Sequence, residues 1–428
     1  MYLQIFLLVI YLYYTYWRCR DNSFLRKTVM FFVALYGGQL VLAIVDPYGF
    51  YTIRPSTILF FNLQIIFLLV GMSYGMNKIG HFKDFDVPRI FNIKVNRTVL
   101  IIQTVALILS YNRYSKMSSY IMSMEGLTDS ARGYFFTEMY SSYTEQFLNE
   151  MVGAFQYVSY FYAFGLLFLY AGKLKWKEWY MIISGFGIII LNSMASLGRS
   201  VVFNIIVAMI MFYFFSGTYD QKSFKKRVRP VALSLVGVVG AVIVFATMIR
   251  SNVNETNYIF DNANDFILKP FVSYFYVPVC AFEFGADKIF GDLVPLLGAA
   301  DLAAPIDLIL TPFQFIDHNI HGINNLLGDR MTPRFDFPSG ESWNALFTGA
   351  SNYYIDFGFF GFIFFPFIHG LLFVWISNKS RRSGAWFIVL LFLFMSSFKH
   401  LVSSNIQSLS TVFVFIWIWY IRKTRAVT

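Results

Sequence analysis

The chain has 428 residues, of which 57% are hydrophobic and only 14% are charged, and its net charge is +10. A soluble domain carries about 25% charged residues, so the composition excludes an ordinary soluble protein. Continuous apolar runs close to the roughly 20 residues that span a bilayer recur along the chain, whereas a β-barrel would show alternating segments. The sequence therefore predicts an all-α fold, a polytopic helical bundle that forms a single membrane domain over residues 1–428.

The predicted membrane spans, in chain order, are approximately 2–17, 28–45, 57–76, 98–111, 152–171, 179–197, 200–216, 231–249, 355–377, 385–402 and 407–421. They amount to about eleven transmembrane helices, in a range of about 10 to 13. A polar loop over 112–150 and a larger loop over 250–350 are predicted on the outer side. Within the larger loop, residues 271–285 are apolar but contain Pro278 and Glu283. This pattern indicates an interfacial or re-entrant helix, and the alternative is a further membrane span.

The distribution of charge predicts the orientation of the chain. No basic residue precedes the first span and RCRDNSFLRK follows it, so the N-terminus is predicted outside and the C-terminus in the cytoplasm. With this orientation, the cytoplasmic loops hold 23 of the 34 Lys and Arg but only 5 of the 24 Asp and Glu. The positive net charge is then a signal for membrane insertion, and nucleic acid is not predicted as a partner. Cys19 and Cys280 fall on opposite sides of the membrane, which argues against a disulfide.

The longest stretch that is unsuited to a bilayer is 311–361, where any chemistry is expected. Its ionisable residues include His318, His321, Arg330, Arg334, Asp336, Glu341 and Asp356. Because the two histidines are spaced i, i+3 and no third ligand is placed by spacing, no metal site is predicted. Either histidine could act as a general base or form loop hydrogen bonds, and Glu341 and Asp336 are the other candidate bases. Asp356, at the start of a predicted span, either serves function or caps that helix.

Arginines on the outer side are candidates for binding phosphate, because positive charge there is not required for insertion. Arg199 lies in the turn SMASLGRS, whose small residues would let a ligand approach the backbone, and its planar guanidinium can donate two hydrogen bonds to phosphate. Arg250 ends a predicted span, Arg330 and Arg334 flank the sequence MTP, and Arg132 precedes a glycine. The structural alternatives are a snorkelling anchor for Arg199 and Arg250 and pairing with neighbouring acids for Arg330 and Arg334.

The many spans, the large outer loop before the last three spans and the outer arginines are accompanied by two sequence patterns. These are SMASLGRSVVFN (193–204) and PSGESWNALFTGASNYYIDFGFFGFIFFPFIHG (338–370), which contains Tyr-x-Asp-Phe-Gly. Together they resemble the oligosaccharide repeat-unit polymerases, the Wzy-type O-antigen and capsule polymerases. The chain departs from some members of that family, in which an Arg is followed by Gly eleven positions later in each of two outer loops.

The resemblance implies a metal-independent glycosyltransferase of the bacterial cytoplasmic membrane that needs no cofactor. Its partners would be polyprenyl-diphosphate-linked oligosaccharides, the lipid bilayer and a chain-length regulator. Arg199 and Arg250 would hold the diphosphate, where they would stabilise charge that develops on the leaving group. Arg330 and Arg334 would hold the diphosphate or sugar, and His321 or Glu341 would deprotonate the acceptor hydroxyl. The predicted substrate-binding set is completed by Arg132, His318, Asp336 and Asp356.

Three other classes of protein stay open. An O-antigen ligase has the same layout but attaches finished glycan to a lipid core. A lipid-linked glycan flippase or other carrier would place its charged residues inside the bundle, whereas here nearly all lie at or outside the membrane edge. A purely structural membrane protein would have no evident use for the polar stretch 311–361.

Overall fold

The computed structural model describes most of the chain. The described residues are 1–79, 85–86, 90, 97–123, 143–169, 174–196, 200–216, 268–314, 322–323, 326–327, 334–340, 342–344, 347–401, 415–416 and 419. The predicted span 231–249 lies outside them, and so does most of the span 407–421. Over the described residues the fold is helical, apart from one short hairpin of two strands.

The helices, in chain order, are α1 (Tyr2–Arg18), α2 (Ser23–Val45), α3 (Pro55–Ile79), α4 (Arg97–Ser123), α5 (Tyr143–Phe168), α6 (Trp176–Ser196), α7 (Ser200–Ser216), α8 (Lys269–Lys288), α9 (Ala303–Gln314), α10 (Ala350–Phe357), α11 (Gly361–Ser380) and α12 (Gly384–Lys399). A 3-10 turn, Gly358–Phe360, joins α10 to α11. The strands β1 (Arg334–Asp336) and β2 (Ser342–Asn344) are antiparallel, with Phe335 opposite Trp343.

The membrane character of the helices agrees with the sequence. Within the described part of the chain, four helical segments are long and apolar enough to cross a membrane: Ser23–Val45, Pro55–Ile79, Trp176–Ala195 and Ala350–Ser380. Two shorter apolar helices cover Asn204–Phe215 and Gly384–Lys399. Every predicted span that falls on described residues is occupied by a helix. The all-α prediction is confirmed, together with the prediction of membrane helices.

The polar loop predicted over 112–150 is helical at both of its ends. Helix α4 continues to Ser123 and α5 begins at Tyr143, so only 124–142 is left between them, outside the described residues. The reason is that residues 112–123 and 143–152 contain no glycine or proline to end a helix, although they are too polar for a membrane span.

The helix predicted within the loop 250–350 is present as α8, and its burial argues against the interfacial alternative. The middle of α8 is buried on all sides, because Tyr276, Val277, Val279, Cys280, Ala281 and Phe282 are all inaccessible to solvent. A helix that lies on a membrane surface would expose one face to water. Helix α8 is therefore a core helix of the protein, and Pro278 lies inside it.

The chain forms two compact units, each built from separate parts of the sequence. Unit 1 comprises Met1–Asp84, Phe271–Lys379 and Leu393–Val412. Unit 2 comprises Phe85–Pro270, Ser380–Phe392 and Phe413–Thr428. The single membrane domain predicted from the sequence is thus subdivided, and α12 contributes its first part to unit 2 and its second part to unit 1.

Unit 1 contains a close crossing of α3 and α11. A Cβ atom added at Gly71 would overlap the backbone carbonyl of Phe367, and one added at Gly370 would overlap the carbonyl of Leu68. Such reciprocal glycines let two membrane helices approach at backbone distance, where van der Waals contact replaces the absent hydrophobic driving force. The rings of Phe60 and Phe362, near the beginning of both helices, stack 5.2 Å apart, so α3 and α11 run in the same direction.

Unit 2 is built around α5, whose middle is buried on all sides and rich in aromatic residues. Tyr160, Phe161, Tyr162 and Phe164 are almost completely buried. The ring of Phe164 contacts Phe186 of α6 at 5.3 Å and Phe212 of α7 at 5.7 Å. The centre of unit 2 is therefore a packed aromatic core.

Candidate functional site

One end of unit 1 carries a folded polar structure. It consists of the α2–α3 turn (46–54), α8, the loop 289–302, the β1–β2 hairpin and α10, and we call it the cap. These segments share one core cluster with the ends of α2 and α3. The cap thus includes much of the described part of the polar stretch in which chemistry was expected.

Asp46 organises the α2–α3 turn. Helix α2 ends at Val45 because Asp46 takes up the left-handed conformation, with φ of 44°. Its carboxylate accepts hydrogen bonds from the backbone N–H groups of Phe50, at 2.9 Å, and Tyr51, at 3.0 Å. The same carboxylate accepts a bond of 2.8 Å from the hydroxyl of Tyr276 on α8. One side chain therefore shapes the turn and joins it to α8.

Arg54 joins the same turn to α8 through two carboxylates. Its guanidinium donates a hydrogen bond of 2.9 Å to Asp287, and its Nε lies 3.1 Å from Glu283. Its backbone N–H also donates to Glu283, at 2.6 Å. The Glu283 side chain is only 3% exposed, whereas that of Arg54 is 59% exposed. A buried carboxylate requires a partner of this kind, because an uncompensated buried charge is strongly destabilising.

The carboxylates of this cluster also influence Tyr51. Partial burial, followed by the negative charges of Asp287 and Glu283, raises the pKa of the Tyr51 phenol above its ordinary value. The phenol therefore stays protonated over the physiological range and can donate a hydrogen bond. Tyr51, Arg54 and Asp287 thus present an aromatic ring, a guanidinium and a carboxylate side by side.

We expect Arg54→Ala to lower the free energy of unfolding by about 2 kcal/mol, since Glu283 would lose its cation. In the double variant with Glu283→Gln the loss should be smaller, because the buried charge is then absent as well. Thermal unfolding of the purified protein in detergent measures both effects. Arg20→Ala is the control, because Arg20 forms only an exposed pair with Asp21. Strictly additive effects of Arg54→Ala and Glu283→Gln would contradict the coupling.

The hairpin that carries Arg334 and Asp336 is attached to the α2–α3 turn. Phe337, which follows β1 and is 2% exposed, packs its ring 5.9 Å from Phe50 and 5.6 Å from Tyr51. The hydroxyl of Ser339 donates a hydrogen bond of 3.0 Å to the carbonyl of Phe50. The aromatic contact and the hydrogen bond fix the hairpin, so the exposed Asp336 is held at a defined place on the cap.

Asp356 lies in the last turn of α10, in the first part of the membrane-length segment Ala350–Ser380, and it is completely buried. Its carboxylate accepts hydrogen bonds from the backbone N–H groups of Ala300, at 2.8 Å, and Asp301, at 3.0 Å. The backbone carbonyl of Asp356 accepts from Leu297 at 3.0 Å. Asp356 therefore does not cap its own helix but holds the loop 289–302.

The other residues of the Tyr-x-Asp-Phe-Gly pattern also have packing roles. The ring of Tyr354 contacts Phe282 of α8 in an edge-to-face arrangement at 5.6 Å. Gly358 has φ of 54°, a conformation that ends α10 and begins the 3-10 turn. The pattern thus anchors the cap to α11.

The charges of unit 1 are separated between its two ends. Basic residues gather where α1 and α3 end, α2 begins and α11 ends: Arg18, Arg20, Arg26, Lys27, Lys78 and Lys379. The guanidinium of Arg18 donates to the carbonyl of Ser73, which joins α1 to α3 at this basic end. The cap, at the opposite end, has fewer basic than acidic residues: Arg54, Lys269, Lys288 and Arg334 against Asp46, Glu283, Asp287, Asp292, Asp301, Asp336 and Asp356. This arrangement agrees with the charge asymmetry predicted from the sequence.

Most of the predicted site residues cannot be placed relative to the cap. Outside the described residues lie Arg132, Arg199, Arg250, His318, His321, Arg330 and Glu341. Arg334 is placed by its backbone in β1, and Asp336 and Asp356 both belong to the cap. Over the described part of the chain, no group of three or more His, Cys, Asp and Glu side chains could hold a metal ion.

The sequence analysis identified neither the ion pairs of Arg54 nor the role of Asp46. The available signal was the acidic pair Glu283 and Asp287, spaced i, i+4 on one helix face.

Comparison with known proteins found no family, no curated protein and no solved structure that matches the chain. The function must therefore be argued from the residues themselves.

Proposed function

We propose that the chain is an enzyme of the bacterial cytoplasmic membrane that joins polyprenyl-diphosphate-linked oligosaccharide repeat units into a surface polysaccharide. In this reaction the bond between the glycan and its lipid diphosphate breaks, and a glycosidic bond forms to a hydroxyl of the incoming unit. The hydroxyl proton passes to a base, and the diphosphate leaves on its lipid. The full set of about eleven membrane helices is part of this proposal.

The observation that carries the proposal is the folded polar cap at one end of a helical membrane unit. A substrate with a lipid tail and a sugar head needs a polar surface next to apolar helices. The cap provides Tyr51, Arg54, Asp287 and Asp336 at such a place, and Arg334 lies by its backbone in strand β1 of the attached hairpin. Because packing fixes the hairpin, an arginine on it would lose little backbone conformational entropy when it binds a diphosphate.

The charge distribution in unit 1 supports the proposed orientation. The positive-inside rule favours the basic end in the cytoplasm, which would put the cap on the outer face with the N-terminus. Repeat units are polymerised on the outer face in the proposed reaction. Arg199, Arg250 and Arg330 are proposed to reach the same face from outside the described residues.

A carrier is the second candidate, because an ionisable side chain lies inside unit 1. The Nε2 atom of His369 on α11 is 2.8 Å from the hydroxyl of Ser397 on α12, and both residues line an internal cavity. The cavity has a volume of about 20 Å³, which is room for about one water molecule. This volume is far too small for a lipid-linked glycan, so within the described residues this cavity does not support a carrier path.

A glycan ladder from a deletion strain tests the proposal. Complementation with wild type should restore the ladder, whereas Arg199→Ala and Arg334→Ala should each leave mostly one attached repeat unit, because leaving-group stabilisation is lost. Protein levels are matched by immunoblot, and Arg20→Ala at the basic end is the control that should restore the ladder.

The pattern of loss distinguishes the classes of protein. Loss of all attached glycan in the deletion strain would indicate the ligase or the flippase. Wild-type chain length with both Arg199→Ala and Arg334→Ala, at normal protein levels, would overturn the polymerase proposal.

A further inference from the structure

Three sulfur atoms converge at the basic end of unit 1. The Cys19 thiol, which follows α1, lies 3.9 Å from the thioether of Met72 and 3.9 Å from that of Met76. Met72 and Met76 are one turn apart on α3 and therefore share a face. Cys19 and Met72 are almost inaccessible to solvent, and Met76 is 8% exposed. The cluster lies outside the cap and has no part in the proposed reaction.

We propose that Cys19, Met72 and Met76 form a binding site for a soft monovalent metal ion, Cu(I), for which Ag(I) is an analogue. Thiolate and thioether sulfur are the ligand types that select Cu(I), whereas hard cations prefer oxygen. The contact with two thioethers distinguishes Cys19 from Cys280, the other buried cysteine, which has no such contact among the described residues.

The distances fit a three-coordinate metal. A metal–thiolate bond is about 2.3 Å long, so three sulfurs in a trigonal plane around one ion are separated by roughly 4.0 Å. The observed separation of 3.9 Å from Cys19 to each thioether is close to this value. The Cys19 thiol and each thioether would therefore need little movement relative to one another to bind the ion, so little binding energy would be spent on bringing them together.

The charge of the site favours a monovalent ion. Binding releases the thiol proton, after which one thiolate and one Cu(I) form a neutral complex that suits a buried site. A divalent ion would leave a net positive charge there. Arg18, the neighbour of Cys19 in the chain, already adds positive charge at this place, which also favours a monovalent over a divalent ion.

Copper retention by the purified full-length protein in detergent tests the site. Anaerobic competition with a chromogenic Cu(I) chelator should show one tightly held ion per chain in wild type. Cys19→Ser should lose it, and Met72→Leu with Met76→Leu should weaken retention by more than roughly tenfold, since even supporting residues cost about that much. X-ray absorption should show sulfur neighbours alone around the copper.

Two matched variants control for the other sulfur atoms. Cys280→Ser removes the other buried thiol, and Met211→Leu removes a buried thioether of unit 2, so both should retain the ion. Folding is checked for every variant by gel filtration. Retention by Cys19→Ser equal to that of wild type would overturn the proposal. So would the absence of retained copper in wild type, which would mean that the three sulfurs are packing contacts only.

Discussion

Replacing Gly71 by alanine is expected to lower the free energy of unfolding by more than about 3 kcal/mol. The added Cβ atom would overlap the backbone carbonyl of Phe367 on α11. A side chain could move to another rotamer, but a carbonyl in a helix can move only if the whole helix moves. Gly370→Ala should have a similar effect, because its Cβ would overlap the carbonyl of Leu68. Both variants separate the same pair of helices.

Gly38→Ala in α2 is the matched control, since no atom lies within 4 Å of the place where its Cβ would be. Alanine is favoured over glycine in helices by about 1 kcal/mol, so this variant should be neutral or slightly more stable. The measurement is thermal unfolding in detergent, followed by fluorescence-detected gel filtration. Equal unfolding temperatures for Gly71→Ala and Gly38→Ala would contradict the close crossing of α3 and α11.

The sequence predicted the membrane helices well because hydropathy is a local property. The end of α2 before Asp46-Pro47 was predicted as the structure has it, since this pair interrupts an apolar run. The sequence left open whether helix α8 lies on the membrane surface or inside the protein, because this depends on what surrounds the helix. Its composition of aromatic and small residues with one proline fits a surface helix and a core helix equally well, and only its neighbours decide between them.

The cap could not be predicted because its contacts join distant parts of the chain. Arg54 and Glu283 are separated by 229 positions, and no pattern in either segment refers to the other. The distance between Asp356 and Ala300 along the chain is 56 positions. Sequence reasoning identified Asp356 as unusual because it is an acid near a membrane boundary, but the backbone N–H groups that it binds have no signature in the residue types.

The structural role of Asp356 leads to the second large effect that we expect. Asp356→Ala leaves the backbone N–H groups of Ala300 and Asp301 buried without an acceptor. Each buried unsatisfied donor costs about 1–3 kcal/mol, so a loss of about 3 kcal/mol or more is expected. Asp356→Asn keeps one carbonyl oxygen but places an NH₂ group against the other donor. It should therefore have an intermediate stability.

Asp336→Ala is the matched control for unfolding alone, since Asp336 is an acid of the same cap but is exposed, whereas in the glycan ladder it is itself a proposed substrate-binding residue. Its effect on unfolding should be within about 0.5 kcal/mol. Measuring unfolding and the glycan ladder on the same variants separates two roles that Asp356 could have. If Asp356 only holds the loop 289–302, each variant should lose stability and polymer together. Asp356→Asn should lose less of both than Asp356→Ala. A substrate-binding Asp356 would lose polymer at wild-type stability, and that result would contradict the role given by its hydrogen bonds.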